Sequence, residues 1–184
     1  MQCSLCIQPG EEDLYTRKIN ISDFETEVVL GKGAYGRVVL SRKINTGQYY
    51  AIKEIKKNQI FNDKDKVNFI FERLILQKVK SPFIVRLHYA FQTPDMLYYV
   101  LDFCAGGELF FHLKKKRTFS EKKARFYLAE IVLAIEELHR NDVIYRDLKP
   151  ENILLDCEGH VMVTDFGLSK ICGHDESKLY DCLG

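Results

Sequence analysis

Tyr145-Arg146-Asp147-Leu148-Lys149-Pro150-Glu151-Asn152 is followed, thirteen residues after its Asn, by Asp165-Phe166-Gly167. One short loop therefore carries a carboxylate, an ammonium and an amide oxygen, and a second carboxylate arrives beside a glycine. Phosphoryl transfer to a hydroxyl needs a base near the nucleophile, a cation near the moving phosphoryl group and oxygen ligands for magnesium, because its catalysis is mainly positioning and electrostatics. Asp147, Lys149, Asn152 and Asp165 supply that set in order. Acids are common nearby (Asp142, Asp156, Glu158), so any one carboxylate alone would read as surface; the ordered set does not.

Working outward, Ile153 to Leu155 and Val161 to Val163 flank D-C-E-G-H and predict a small hairpin between the two motifs. Upstream, Ser120 is a suitable N-cap for a long helix ending near Arg140. Tyr127, Ile131, Ala134, Ile135 and Leu138 form one face of it, and Phe126, Leu128, Val132 and Leu133 extend the apolar surface most of the way round. Such a helix expects partners on several sides. Lys114-Lys115-Lys116-Arg117, with no interleaved aromatics, reads as a solvated turn before it.

In the N-terminal half, β-branched runs on either side of G-K-G-A-Y-G-R-V, then a turn at Asn45-Thr46-Gly47 and the run Q-Y-Y-A-I-K-E-I, predict three antiparallel strands. Val67, Ile70, Phe71, Leu74 and Ile75 then fall at three- and four-residue steps, giving a helix over 65–79 that stops at Ser81-Pro82. Ile84 to Phe91 and Leu97 to Phe103 read as two further strands, for a five-stranded sheet with one helix.

The 184 residues, 46% of them hydrophobic, suffice for one domain or slightly more. Twenty-seven Lys plus Arg against 26 Asp plus Glu leave no global field to draw in nucleic acid or an anionic membrane. No apolar run reaches the length of a membrane span, and the N-terminus lacks a secretory pattern. Cys3, Cys6, Cys104, Cys157, Cys172 and Cys182 are scattered, with no second C-x-x-C to complete a zinc site. Free thiols in a reducing compartment are expected, hence a cytoplasmic protein, with the nucleus also open to it.

Gly31-x-Gly33-x-x-Gly36 would also suit a dinucleotide fingerprint, and Glu54 nearly supplies its acid. A fingerprint of that kind opens a helix. Here Arg37-Val38-Val39-Leu40 continues as strand, which favours a glycine-rich hairpin folded over phosphates. Lys53 lies on the next strand, where an ammonium can meet phosphates as a point charge. Glu72, nineteen residues on along the helix, is a carboxylate able to pair with it.

Together, G-K-G-A-Y-G-R-V, A-I-K, Y-R-D-L-K-P-E-N and D-F-G resemble the eukaryotic protein-kinase signature set, in order, over Phe24 to Gly184. Tyr145 in place of the usual His, with S-P-F-I-V-R-L-H-Y-A-F-Q-T and A-G-G-E-L-F, resembles the AGC class of serine/threonine kinases. L-S-K after D-F-G resembles its ribosomal-protein-kinase and mitogen-and-stress-activated branches. The resemblance implies an α+β, two-lobe fold. A lead-in over 1–23 would precede an N-lobe of about 24–101 with five strands and one main helix. A hinge at about 102–104 and a partial C-lobe over 105–184 would follow.

It also implies roles. Asp147 would take the substrate hydroxyl's proton and Lys149 would neutralise the moving phosphoryl group; Asn152 and Asp165 would hold Mg2+. Lys53, paired with Glu72, would bind the α- and β-phosphates of ATP, under the cover of Leu30, Gly31, Lys32, Gly33, Ala34, Tyr35, Gly36, Arg37 and Val38. Val38, Ala51 and Leu154 would enclose the adenine, Leu101 would be the gatekeeper, and Asp102 to Cys104 the hinge. Leu76, Leu87, Tyr145 and Phe166 would stack as the regulatory spine. Glu108 and Glu151 would meet the ribose or a substrate arginine, implying protein substrates with basic residues near the acceptor Ser or Thr.

The chain departs from the pattern in lacking A-P-E, and with it the expected peptide-docking surface. Asp181 falls about where an upstream activating kinase would phosphorylate AGC relatives, and Asn68 stands where they often carry a His that meets the loop phosphate. Asn donates a hydrogen bond but brings no charge. The expected activity is ATP- and magnesium-dependent phosphorylation of serine and threonine. The alternative is a nucleotide-binding, non-catalytic regulatory module that competes with a full-length kinase.

Overall fold

Alternating apolar residues with turn chemistry between them produce the first part of the computed structural model, which describes residues 19–172. Asp181, Leu183, Gly184, Cys3, Cys6, Cys182 and most of the expected lead-in lie outside that range. A 3₁₀ turn over Ile21–Asp23 opens it. Asn20 caps the turn, accepting from the Ser22 amide at 2.8 Å, while the Asp23 carboxylate accepts from the Asn20 amide at 2.8 Å. Strands β1 (Phe24–Gly33), β2 (Gly36–Lys43), β3 (Tyr49–Lys56), β4 (Leu87–Gln92) and β5 (Met96–Asp102) form one antiparallel sheet in the order β1-β2-β3-β5-β4.

The five strands and their order of appearance agree with the sequence reading, although β4 begins at Leu87 rather than Ile84. One sheet face is packed with Phe24, Val39, Tyr50, Ile52, Phe91, Tyr98 and Val100. Phe24 stacks on Phe91 at 6.3 Å and Phe91 on Tyr98 at 5.0 Å, so aromatic contacts tie the two outer strands, β1 and β4, to each other and to β5.

Residues to Phe61 and Leu87–Phe103 make up the first of two compact units; Asn62–Arg86 and Cys104 onward make up the second. Helix α1 (Asp63–Lys78) therefore groups with the second unit, whereas a boundary near residue 101 would have kept it with the sheet. The reason lies in the chain that follows it. Lys78 Nζ donates to the Asn141 carbonyl at 2.9 Å, and Ile84 bridges Val163 in parallel, with Val163 N donating to Phe83 O at 2.8 Å and Val85 N to Val163 O at 3.0 Å. Asn62 caps α1 through the Asp65 amide at 2.8 Å. Val67, Phe71 and Ile75 are buried as expected; Phe69 joins them, and Leu74 faces solvent instead.

The second unit continues with β6 (Gly107–Glu108), α2 (Leu109–Lys116), α3 (Glu121–Arg140) and β7 (Val143–Ile144). Beyond these lie β8 (Ile153–Leu155), β9 (Val161–Val163) and β10 (Lys170–Ile171). The expected hairpin is β8 against β9, with β6 on the other side of β8. Lys114, Lys115 and Lys116 are not a turn. They form the last turn of α2, where cations oppose the helix's negative end, and Arg117 closes the helix with a φ of 63°.

Helix α3 starts at Ser120 as expected, its Oγ accepting from the Lys123 amide at 3.4 Å. Tyr127, Ala134 and Leu138 are buried, while Phe126, Leu128, Val132 and Leu133 remain exposed, in keeping with an apolar surface that extends past one face. Glu130 is also buried. Its carboxylate accepts from His160 Nδ1 at 2.6 Å and from the Val161 amide at 2.8 Å, which fastens α3 to the start of β9.

Glu130 raises the His160 pKa above its ordinary value, reinforced by Asp156 and Glu158 in the same hairpin turn. A raised folded-state pKa adds stability that is fully present below about 6.5 and is lost as pH rises through the folded value. His160→Gln should therefore lower the melting temperature most in mildly acidic buffer, and the gap from wild type should close in alkaline buffer. Thermal melts across that range check this; a gap independent of pH would contradict it.

Candidate active site

In the first unit the glycine-rich stretch is the tip of the β1–β2 pair. Val38 lies opposite Gly31 on one side and Lys53 on the other, so the tip and the lysine occupy adjoining strands at matched register. Residues Leu30 to Gly33 end β1, Ala34 and Tyr35 make the turn, and Gly36, Arg37 and Val38 begin β2. A Cβ on Gly31 or Gly33 would meet nothing within 4 Å, whereas one on Gly36 would lie 1.8 Å from the Glu54 carbonyl oxygen. Gly36 is thus demanded by packing, while Gly31 and Gly33 leave bare backbone facing open space.

Ala51 sits on β3 between Leu40 and Leu101, and Asp102 ends β5 opposite Tyr50. His88, at an irregularity in β4, meets the Asp102 carboxylate at 2.6 Å and packs edge-on against Tyr50. Sequence reasoning missed this brace on the expected hinge, because only strand register shows which histidine lies beside Asp102.

In the second unit the three loop residues converge. Lys149 Nζ lies 2.8 Å from Asp147 Oδ2, and Asn152 Nδ2 donates to the same oxygen at 2.8 Å and to the Asp147 carbonyl at 3.0 Å. The Lys149 ammonium, helped by Asn152, holds the Asp147 carboxyl below the usual carboxylate range, and Asp147 in return raises Lys149. Asp147 is therefore ionised at neutral pH, able to receive a proton and oriented by two donors.

Backbone links connect this loop to Asp165. Thr164 N donates to Asn152 O at 3.0 Å, and Tyr145 Oη donates to Thr164 O at 2.5 Å. Burial, with a contribution from Asp165, pushes the Tyr145 phenol far above its ordinary range, so it stays a donor. Tyr145 packs edge-on against Phe166 at 5.4 Å, and Phe166 is fully buried. These two members of the expected spine meet in the second unit, where Leu76 is likewise buried.

Arg146 and Asp165 both take left-handed backbone, with φ of 64° and 59°. Each costs on the order of 1–3 kcal/mol for a residue with a side chain, and such residues gather at functional sites. Arg146 is held by its Nε bond to the Leu168 carbonyl at 2.7 Å, and Ser169 Oγ donates to Tyr145 O at 3.0 Å. The segment after D-F-G is thereby tied to the loop that carries Asp147, an arrangement continued by the β7–β10 pairing.

The donor set suits magnesium. With its amide nitrogen committed to Asp147, Asn152 turns its amide oxygen away from that carboxylate, and Asp165 adds a carboxylate, both hard oxygen donors. Among the described residues no three or more His, Cys, Asp or Glu form a self-sufficient metal cluster. Magnesium shared with nucleotide phosphates needs only one or two carboxylates.

Glu72 is buried on α1, and Glu108 is exposed at the N-cap of α2, opposite Leu154 in the β6–β8 pair. Glu151 is exposed in the 3₁₀ turn Pro150–Asn152, and Cys104 is buried. A cavity of about 340 Å³ brings Lys64, Asn68, Arg146 and Lys170 to one space. Lys64, one helical turn before Asn68 and not singled out by sequence reading, brings a cation to that space.

The glycine-rich strand pair and the Asp147–Lys149–Asn152 cluster are those of a protein kinase. The chain belongs to the protein kinase domain family, whose model matches residues 24–183. It is 49% identical over 166 residues to the RAC family serine/threonine-protein kinase homolog of Dictyostelium discoideum, covering 90% of this chain and 37% of the relative. Serine/threonine-protein kinase Sgk2 is 52% identical over 156 residues in Mus musculus and 53% over 150 in Homo sapiens. Those matches cover 84% and 81% of this chain and 42% and 41% of the relatives. These are AGC kinases, as the motifs implied. The chain spans about two fifths of the length of the curated relatives it matches.

Proposed function

We propose that the chain carries an ATP- and magnesium-dependent phosphoryl transfer to serine and threonine hydroxyls of proteins. The observation behind this is the Asp147 cluster, an ionised carboxylate held by an ammonium at 2.8 Å and an amide at 2.8 Å. Asp147 accepts the proton of the attacking hydroxyl. Lys149, paired with Asp147 here, would turn toward the transferring phosphoryl group and offset its charge as the new bond to the hydroxyl oxygen forms and the bond to the departing ADP breaks. Asn152 and Asp165 would hold magnesium, which when bound neutralises charge on the phosphate oxygens. Lys53 and the bare backbone at Gly31 and Gly33 would bind the phosphates, with Ala51 and Val38 of the same sheet against the adenine.

Substrates with basic residues near the acceptor are favoured by Glu108 and Glu151, both exposed carboxylates. The cation-lined cavity by α1 supports control by an upstream kinase, since Lys64, Arg146 and Lys170 together suit a phosphorylated segment. Free thiols at Cys157 and Cys172 support a cytoplasmic location, with access to the nucleus.

Lys53→Met tests the nucleotide half. It should weaken MgATP binding by tenfold or more, on the order expected for losing a charge-assisted phosphate contact, as read by titration calorimetry. Unchanged affinity would remove Lys53 from the site.

A further inference from the structure

The glycine-rich turn is fastened on one flank and open on the other, and the residue that fastens it stands next to Lys53 without having been assigned any role. Glu54 is 7% exposed. Its carboxylate lies 2.6 Å from Arg37 Nε, directly across the β2–β3 register, and Tyr98 of β5 faces it from the other side. Its carbonyl oxygen is the atom against which Gly36 is pressed. Two residues on, the Lys56 amide donates to Tyr35 O at 2.9 Å. Three consecutive residues of the turn, Tyr35, Gly36 and Arg37, are thus attached to β3, while Gly31 and Gly33 on the opposite flank pair only with β2 and leave open space where a side chain would stand.

A carboxylate buried this deeply needs its half-exposed arginine to stay in place, since the carboxylate left alone in the interior is costly. We infer that Glu54 is a positioning residue for the nucleotide phosphates, anchoring the β2 flank of the glycine-rich turn so that the Gly31–Gly33 flank, which pairs only with β2, closes on them. This rests on the nucleotide reading above. Glu54 touches no reacting atom in this role; it acts through Arg37 and the turn.

The distinguishing test compares two ligands on the full chain. Glu54→Ala and Arg37→Met, which breaks the same pair from its solvent side, should each weaken MgATP binding about tenfold and leave adenosine, which has no phosphates, within about twofold. The double variant should be little worse than either single one, because both remove one interaction. Amide hydrogen exchange over 34–38 should rise in all three. Equal losses for ATP and adenosine, fully additive losses, or unchanged exchange would each overturn the inference. A wild-type chain that binds neither ligand would instead sink the nucleotide reading, and this inference with it; wild-type binding with unaltered variants would sink the inference alone.

Discussion

Asp147→Asn is expected to lower peptide phosphorylation turnover by roughly 10²- to 10⁴-fold, the range contributed by a positioned general base, while MgATP affinity changes by less than about threefold. The substitution is nearly isosteric, so the loop has no steric reason to move. What disappears is the negative charge that holds Lys149 at 2.8 Å and, in the proposed reaction, receives the proton. Asn also offers one acceptor where the carboxylate has two, yet Asn152 keeps its second bond, to the Asp147 carbonyl at 3.0 Å. Turnover and affinity should separate for that reason. Steady-state kinetics against calorimetric binding reads the split, and a parallel loss of both would mean that Asp147 holds the loop rather than the proton.

The pH dependence should agree. Because Lys149 and Asn152 depress the Asp147 pKa, the carboxylate is charged throughout the neutral range and protonates only as pH falls below the ordinary carboxylate value. An acidic limb of the rate profile near neutrality would therefore have to come from another group.

Gly36→Ala should be the most damaging single-methyl change in the first unit, costing about 1–3 kcal/mol, as overpacking of a tight contact does. The added carbon would sit 1.8 Å from the Glu54 carbonyl oxygen and 2.9 Å from its carbon. Both atoms are backbone, so no rotamer relieves the clash and β2 must lift from β3. Gly31→Ala and Gly33→Ala meet no atom within 4 Å and should change stability by less than about 0.5 kcal/mol, as open surface positions do. Thermal melts of the three variants decide it; equal melting temperatures would show that the close approach at Gly36 is not maintained in solution.

Much of this architecture is legible in the chain because its determinants are local. Alternation specifies β3, turn residues separate β2 from it, Ser120 marks the start of α3, and D-C-E-G-H between two apolar triplets specifies the β8–β9 hairpin. The candidate site residues are legible for a similar reason, since Asp147, Lys149 and Asn152 share one loop and meet without help from distant elements. Features that depend on register or on long-range pairing were not. Arg37 and Glu54 become partners only once β2 lies beside β3, and His160 finds Glu130 across thirty residues. The membership of α1 turned on the chain after it, where Ile84 and Val85 attach to Val163, and no periodicity within the helix carries that information. A lysine cluster ending α2 looked like a turn because charge runs are equally at home in both; the helix negative end tips the balance.

The most direct measurement is transfer of labelled γ-phosphate from ATP to a serine peptide with arginines ahead of the acceptor, with wild type and Asp147→Asn side by side, in magnesium and in chelator. Magnesium-dependent labelling of the serine by wild type, lost in Asp147→Asn, is the predicted result. Nucleotide binding that requires Lys53 without any labelling by wild type would contradict the catalytic account.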